Sequence, residues 1–204
     1  MDQLQKSNNK VYCHQCSWSF GILRLANNNT SHPQLDASFI TIQEVDFKTN
    51  EDYAKIFITL RNGTGHLRGN TMVDIDALIY QNVSDGVLVR MELGSKIGSD
   101  YVPMLDSRVD LCGLNSLSTD DLLMDMMVTE MGKHGNMSIS CPFYSGNYVV
   151  RNFHIDTENM LIKLAPPGKY HVAIDVKHKM KERAIAIPIF DIEFFATIVS
   201  DLNY

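Results

Sequence analysis

Residues 72–80 read MVDIDALIY, and this stretch decides the fold class. Val73, Ile75, Ala77 and Ile79 recur at every second position, with Asp74 and Asp76 between them. In an extended chain successive side chains point to opposite faces, so this spacing gives one apolar and one wet face. The alternation continues on both sides. Ser38–Asp46 reads SFITIQEVD, and Lys55–Arg61 reads KIFITLR before Asn62-Gly63, a strong turn dipeptide. Val87–Leu93 reads VLVRMEL, with Arg90 and Glu92 predicted to face outward. Further on, Tyr148–Ile155, Met160–Leu164, Lys169–Lys177 and Ala184–Ile198 are all rich in β-branched and aromatic residues. In Lys169–Lys177, Tyr170, Val172, Ile174 and Val176 share one face, with His171, Asp175 and Lys177 on the other. Pro188 predicts a bulge or an edge position in the last strand. About eight antiparallel strands with one wet face predict a two-sheet sandwich.

One segment breaks the period. Ser118–Met131 reads STDDLLMDMMVTEM. Ser118 or Thr119 can cap a helix, and Asp120 and Asp121 suit its positive first turn. Leu122, Leu123, Met126, Met127 and Met131 then fall at helical spacing, with Gly132 and Gly135 as stop signals. Met124, Met126, Met127 and Met131 make the helix unusually flexible and polarizable, which suits contact with varied apolar shapes. The polar residues 1–10 read as a frayed end and 27–34, NNNTSHPQ, as a loop; no linker or repeat divides residues 1–204, so a single domain is expected.

Composition narrows the function classes. The chain has 204 residues, 45% of them hydrophobic, enough for a real core. A net charge of −6 argues against nucleic acid as the main partner, because phosphate binding needs a basic face. No stretch reaches the roughly 20 apolar residues of a membrane-spanning helix. Five N-x-S/T acceptors stand at Asn28, Asn29, Asn62, Asn82 and Asn136, where about two would arise by chance at average usage. With four cysteines they predict a secreted, glycosylated chain given without its signal peptide.

Catalytic signatures are missing: there is no G-x-S-x-G, no H-E-x-x-H and no phosphate-binding glycine loop. The seven histidines are scattered, so neither an enzyme nor a cofactor is expected. Cys13-His-Gln-Cys16 lacks the second C-x-x-C of a zinc site, and no metal is expected. Four cysteines allow three pairings. Cys13 could close on Cys16 or reach a distant partner, and a Cys112–Cys141 bridge would tie both ends of the helical excursion to the sheets. The turn KHKMKER, Lys177–Arg183, is the one basic run. Lys177, Lys179, Lys181 and Arg183 are candidates for a membrane-surface or receptor contact.

The second half carries a resemblance. Asp110-Leu-Cys112-Gly-Leu114 precedes the helix, Cys141-Pro-Phe-Tyr-Ser-Gly-Asn-Tyr148 follows it, and Pro167-Gly-Lys-Tyr170 opens the next strand. This order, over residues 79–198, resembles the insect CheB-like chemosensory family and, more distantly, is similar to the ganglioside activator protein and ML-type lipid-recognition domains. The resemblance implies an immunoglobulin-like β-cup: two sheets splayed at one end around an apolar cavity. It implies a secreted, non-enzymatic binder of a lipid or another long apolar ligand, such as a hydrocarbon pheromone or chemosensory cue. It also implies that Cys112 pairs with Cys141. The activator's bridge from an N-terminal cysteine to its last strand has no counterpart, because Ala184–Ile198 contains no cysteine, so Cys13 is expected to pair with Cys16. The inward sets then supply the candidate ligand-binding wall, Val89, Met91, Phe153, Ile155, Tyr170, Val172 and Ile174, with Leu123, Met127 and Met131 as a movable rim. The contrasting expectation is an adhesion or co-receptor module with a solid core, acting through its surface.

Overall fold

The structure, a computed structural model, describes residues 10–12, 38–112, 122–136, 141–156, 162–163, 165–180 and 185–200. Cys13, Cys16, Asn28, Asn29, Lys181, Arg183 and the proposed helix cap at 118–121 lie outside the described residues. The strands are β1 (Lys10–Tyr12), β2 (Ser38–Thr49), β3 (Ala54–Asn62), β4 (Thr71–Ile79), β5 (Val87–Ile97), β6 (Asp100–Asp110), β7 (Gly146–Phe153), β8 (Gly168–His178) and β9 (Ile187–Ser200). The helix α1 (Leu122–His134) lies between β6 and β7. The strands form two antiparallel sheets, one ordered β1-β2-β9-β8-β5-β6 and one ordered β3-β4-β7. The chain is a mainly β, two-sheet sandwich, as the alternation predicts.

The wet faces are held by cross-strand charges. On the larger sheet Arg90 pairs with Asp106 at 2.9 Å and also reaches Glu92. On the smaller, Arg61 grips Asp74 with two hydrogen bonds of 2.8 and 2.9 Å. The dry faces meet in a core containing Val45, Val73 and Val150, all fully buried.

Several boundaries differ from the sequence expectation, each for a physical reason. The edge strand β6 was not expected. Most of its residues are exposed, so it shows no burial alternation, and Pro103 interrupts its donors. The available signal was Gly98-Ser99, a two-residue hairpin loop with Gly98 at φ 65°. Asn62-Gly63 opens a longer loop containing a short 3-10 turn at Gly65–Leu67, closed by the Gly63 N–H donating to the Asn70 carbonyl at 2.8 Å. Within Met160–Leu164, Ile162 and Lys163 are helical and not extended. A short apolar run fits either state, and periodicity does not separate them.

The helix runs past Gly132 to His134. Lys133 and His134 favour its negative end, and Lys133 donates to Glu130 at 2.6 Å. It stops where Gly135 bridges Val150, a contact so close that a Cβ at Gly135 would lie 2.0 Å from the Val149 carbonyl oxygen. The strand β7 ends at Phe153, before Ile155. A register shift opposite Val73/Ile75 is accompanied by Asn152 at φ 55°, held by its N–H donating to Asp74 at 2.8 Å. Pro188 does mark a bulge: the β8–β9 register shifts between Val176 and Lys177.

Candidate functional site: an apolar cavity between the sheets

The two ends of the sandwich are built differently. At the end carrying the 63–70 loop, the sheets are tied together. The N–H groups of Ile40 and Ile42 on β2 donate to Asn70 Oδ1 at 2.7 Å and Thr71 Oγ1 at 3.0 Å, and Thr41 Oγ1 donates to the Gly69 carbonyl. These side chains satisfy an edge of β2 beyond β1, whose described residues pair with residues 44–46. Ile40, Ile42, Val73, Tyr170, Ala196 and Ile198 fill the space behind them.

At the other end the sheets part and leave a cavity of about 150 Å³. The larger sheet supplies Val87, Val89 and Met91 from β5, Ile174 and Val176 from β8, and Ile189, Phe190, Ile192 and Phe194 around the start of β9. The smaller sheet supplies Ile56 from β3, Ile75, Ala77 and Ile79 from β4, and Tyr148, Val150 and Phe153 from β7. The helix contributes Met124, Met127 and Met131, and loops add Tyr53, Val83, Leu111 and Phe143. Among the described residues no polar atom faces this space. An apolar void of roughly 150 Å³ stays dry and holds a benzene-sized guest.

Of the residues singled out from sequence, Val89, Met91, Met127, Met131, Phe153 and Ile174 stand in this wall. Four do not line it. Tyr170 belongs to the closed end, where its hydroxyl donates to the Pro166 carbonyl at 2.6 Å. Ile155 lies beyond the end of β7 and packs against that same core. Leu123 is buried in the core beside the cavity, and Val172 packs partly buried against it. Alternation shows which side of a strand is dry. It does not show how far along the strand the cavity extends, so Tyr170 shares a face with Ile174 without sharing its surroundings. The β4 contribution was legible, since Ile75, Ala77 and Ile79 belong to the opening alternation. Tyr53, Val83 and Phe143 come from loops and carried no periodic signal.

Two features fix the helix over this end. Cys112 and Cys141 form a disulfide with Cα atoms 5.1 Å apart, joining the end of β6 to the segment after α1. Behind the helix, Asn136 continues the β7 pairing: its Oδ1 accepts from the Val149 N–H at 2.7 Å and its N–H donates to the Val149 carbonyl at 3.1 Å. His134, in the last turn, meets Phe153 edge-on at 5.9 Å and His154 at 4.9 Å between ring centroids. Burial, then the neighbouring His154, holds its pKa below the ordinary imidazole value, with Glu130 opposing.

A larger open groove of about 580 Å³ lies on the outer face of the six-stranded sheet, among Lys10, Asp46, Lys48, Asp175, Asp191 and Glu193. Its charges are of both signs, and Lys10 bonds Asp46 at 2.9 Å, so it reads as a solvated face. Burial and a hydrogen bond with Asp175 push the Asp191 carboxyl above its ordinary value. Among the described residues no group of three His, Cys, Asp or Glu side chains could hold a metal ion, and no helix is long and apolar enough to cross a membrane. Of the basic run, Lys177 ends within β8 and Lys179 is exposed, with its N–H donating to the Gly86 carbonyl at 2.7 Å. Asn62, Asn82 and Asn136 are exposed.

Residues 89–172 match the sequence profile of a protein family described as a protein of unknown function, DUF1091. The matched span runs from β5 into β8 and includes the disulfide, α1 and β7. No curated protein matches the chain.

Proposed function

We propose that this chain is an extracellular, non-enzymatic carrier of a lipid or another long apolar ligand, held between the two sheets. The observation that carries the reading is the cavity, closed at one end by a hydrogen-bonded seam and, among the described residues, walled by apolar atoms. Each buried methylene of a guest contributes about 0.8 kcal/mol, so useful affinity needs no hydrogen bond. The resting volume suits a small guest. A longer chain enters as Met124, Met127 and Met131 rearrange, because unbranched thioether side chains change rotamer at low cost.

The disulfide and the exposed acceptors Asn62, Asn82 and Asn136 support an oxidising, extracellular setting. The likeness of residues 79–198 to insect chemosensory proteins supports a hydrocarbon pheromone or similar cue as the cargo, and Lys177 and Lys179 offer a cationic contact for a membrane surface or receptor. Native mass spectrometry and solvent extraction of protein secreted from a eukaryotic host test the reading. Co-purifying or added apolar molecules should be retained at about one per chain. A protein that neither retains nor takes up any lipid or hydrocarbon overturns it.

A further inference from the structure

We infer that the cavity selects guests that carry no polar head inside it: a neutral hydrocarbon taken in whole, in place of an alcohol, an acid or an amphiphile with its head buried. The inference rests on the carrier reading and narrows its ligand class. Two of the lining side chains bear a hydroxyl, and both are already engaged. Tyr53 Oη bonds His178 Nδ1 at 3.1 Å, and Tyr148 Oη donates to the Tyr144 carbonyl at 2.8 Å. The buried carboxylate of the helix, Glu130, is bonded to Lys133 at 2.6 Å. Of the other buried polar residues, Asn70 and Thr71 are spent on the β2 edge at the opposite end, and Ser107, whose Oγ has no protein partner among the described residues, does not line the cavity. The wall strands β5, β8 and β9 are paired on both sides within their ladders, and β3 and β7, the edges of the smaller sheet, are paired along one side.

A guest hydroxyl or carbonyl entering this space gives up its water and finds no partner, and a carboxylate loses far more. The methionines deepen the preference, since a thioether fills apolar gaps but accepts hydrogen bonds only weakly. The wall thus discriminates by refusing polar atoms, and it tolerates variation in hydrocarbon shape.

The test uses matched guests small enough for the resting cavity, toluene with phenol and n-hexane with 1-hexanol, followed by NMR of the Met91, Met124, Met127 and Met131 methyl groups. Toluene and hexane should shift these methyls, and phenol and hexanol should bind at least about tenfold more weakly. In the Tyr53→Phe and Tyr148→Phe variants both ratios should stay within about twofold, because neither hydroxyl serves the guest. Alcohols that bind within about threefold of their hydrocarbon partners overturn this inference and leave the carrier reading standing. So does a phenylalanine variant that weakens phenol or hexanol alone, since it exposes a hydroxyl that had turned inward. If no guest of either kind shifts any methyl, the carrier reading falls and this inference falls with it.

Discussion

The two ends of the sandwich use the same strands for opposite purposes. At the 63–70 end, Asn70 and Thr71 bond across to β2, the sheets are held together, and Ile42, Ala196 and Ile198 are buried in one cluster. At the α1 end the turn at residues 50–53 joins β2 to β3, and among the described residues no side-chain seam like that of Asn70 and Thr71 is formed. The sheets part, and methionines with a disulfide-tethered helix cover the opening. Two polar side chains clamp the sheets at one end, and the far end of the same sheets holds the cavity.

Breaking the tether should have the largest effect. Cys112→Ser with Cys141→Ser removes a 29-residue cross-link, worth about 3–4 kcal/mol in the chain-entropy account. Urea denaturation should show that loss, and hydrogen exchange should rise in α1 well before it rises at Ile40 and Ile42. Next, Ile42→Ala should cost about 3 kcal/mol, because it opens a hole in tight packing. Met127→Ala, whose side chain already borders empty space, should cost about 1 kcal/mol. Equal losses would mean the two ends pack alike.

Adding volume reverses the comparison. Ala196→Leu overfills the closed end and should cost about 2 kcal/mol. Ala77→Leu grows into the cavity, should change stability by less than about 0.5 kcal/mol, and should abolish guest uptake. Asn70→Ala leaves the Ile40 N–H without its acceptor and should cost about 1–2 kcal/mol, with exchange accelerating first on the β2 edge.

The smallest expected effect is on pH. The folded His134 pKa lies below its unfolded value, so the unfolded chain takes up the proton first. Stability is full above the ordinary imidazole value of about 6.5 and falls as the pH drops through the depressed one. The groups around His134 are Glu130 and Lys133 on the helix, and Arg151 and His154 on and just after β7. His134→Gln should therefore flatten the change in melting temperature between pH 7 and 5. Asp106 responds far lower: hydrogen bonds from Arg90 and then Arg108 hold its carboxyl at about 2, so its contribution is lost only as the pH falls from about 4 toward 2. The amide and hydroxyl of the closed seam do not titrate in either range.

The residues of the candidate site were legible to different depths. Val89, Met91, Phe153 and Ile174 followed from a period of two, and Met127 and Met131 from helical spacing, because a dry face is written into local order. Tyr53, Val83 and Phe143 were not, because each sits on a loop whose place in the wall depends on partners far away in the chain. The Val83–Phe143 bridge sets two of those places, and the hydrogen bond between Tyr53 and His178 sets the third. The edge strand β6 carries no alternation, because it is exposed on both faces, and Gly98-Ser99 is the one local mark of its hairpin.

The sequence by itself determined that this protein is a two-layer β structure with one helical excursion. Side-chain period and turn chemistry act within a few residues and need no distant partner. Only the tertiary structure decided where the layers touch and where they part. That depends on Asn70 and Thr71 meeting β2 across about thirty residues of chain, and on Cys112 meeting Cys141 over the helix. Tyr170 and Ile174 look alike in the strand pattern. One is core and the other is cavity wall because different neighbours from the opposite sheet and the helix meet them along β8.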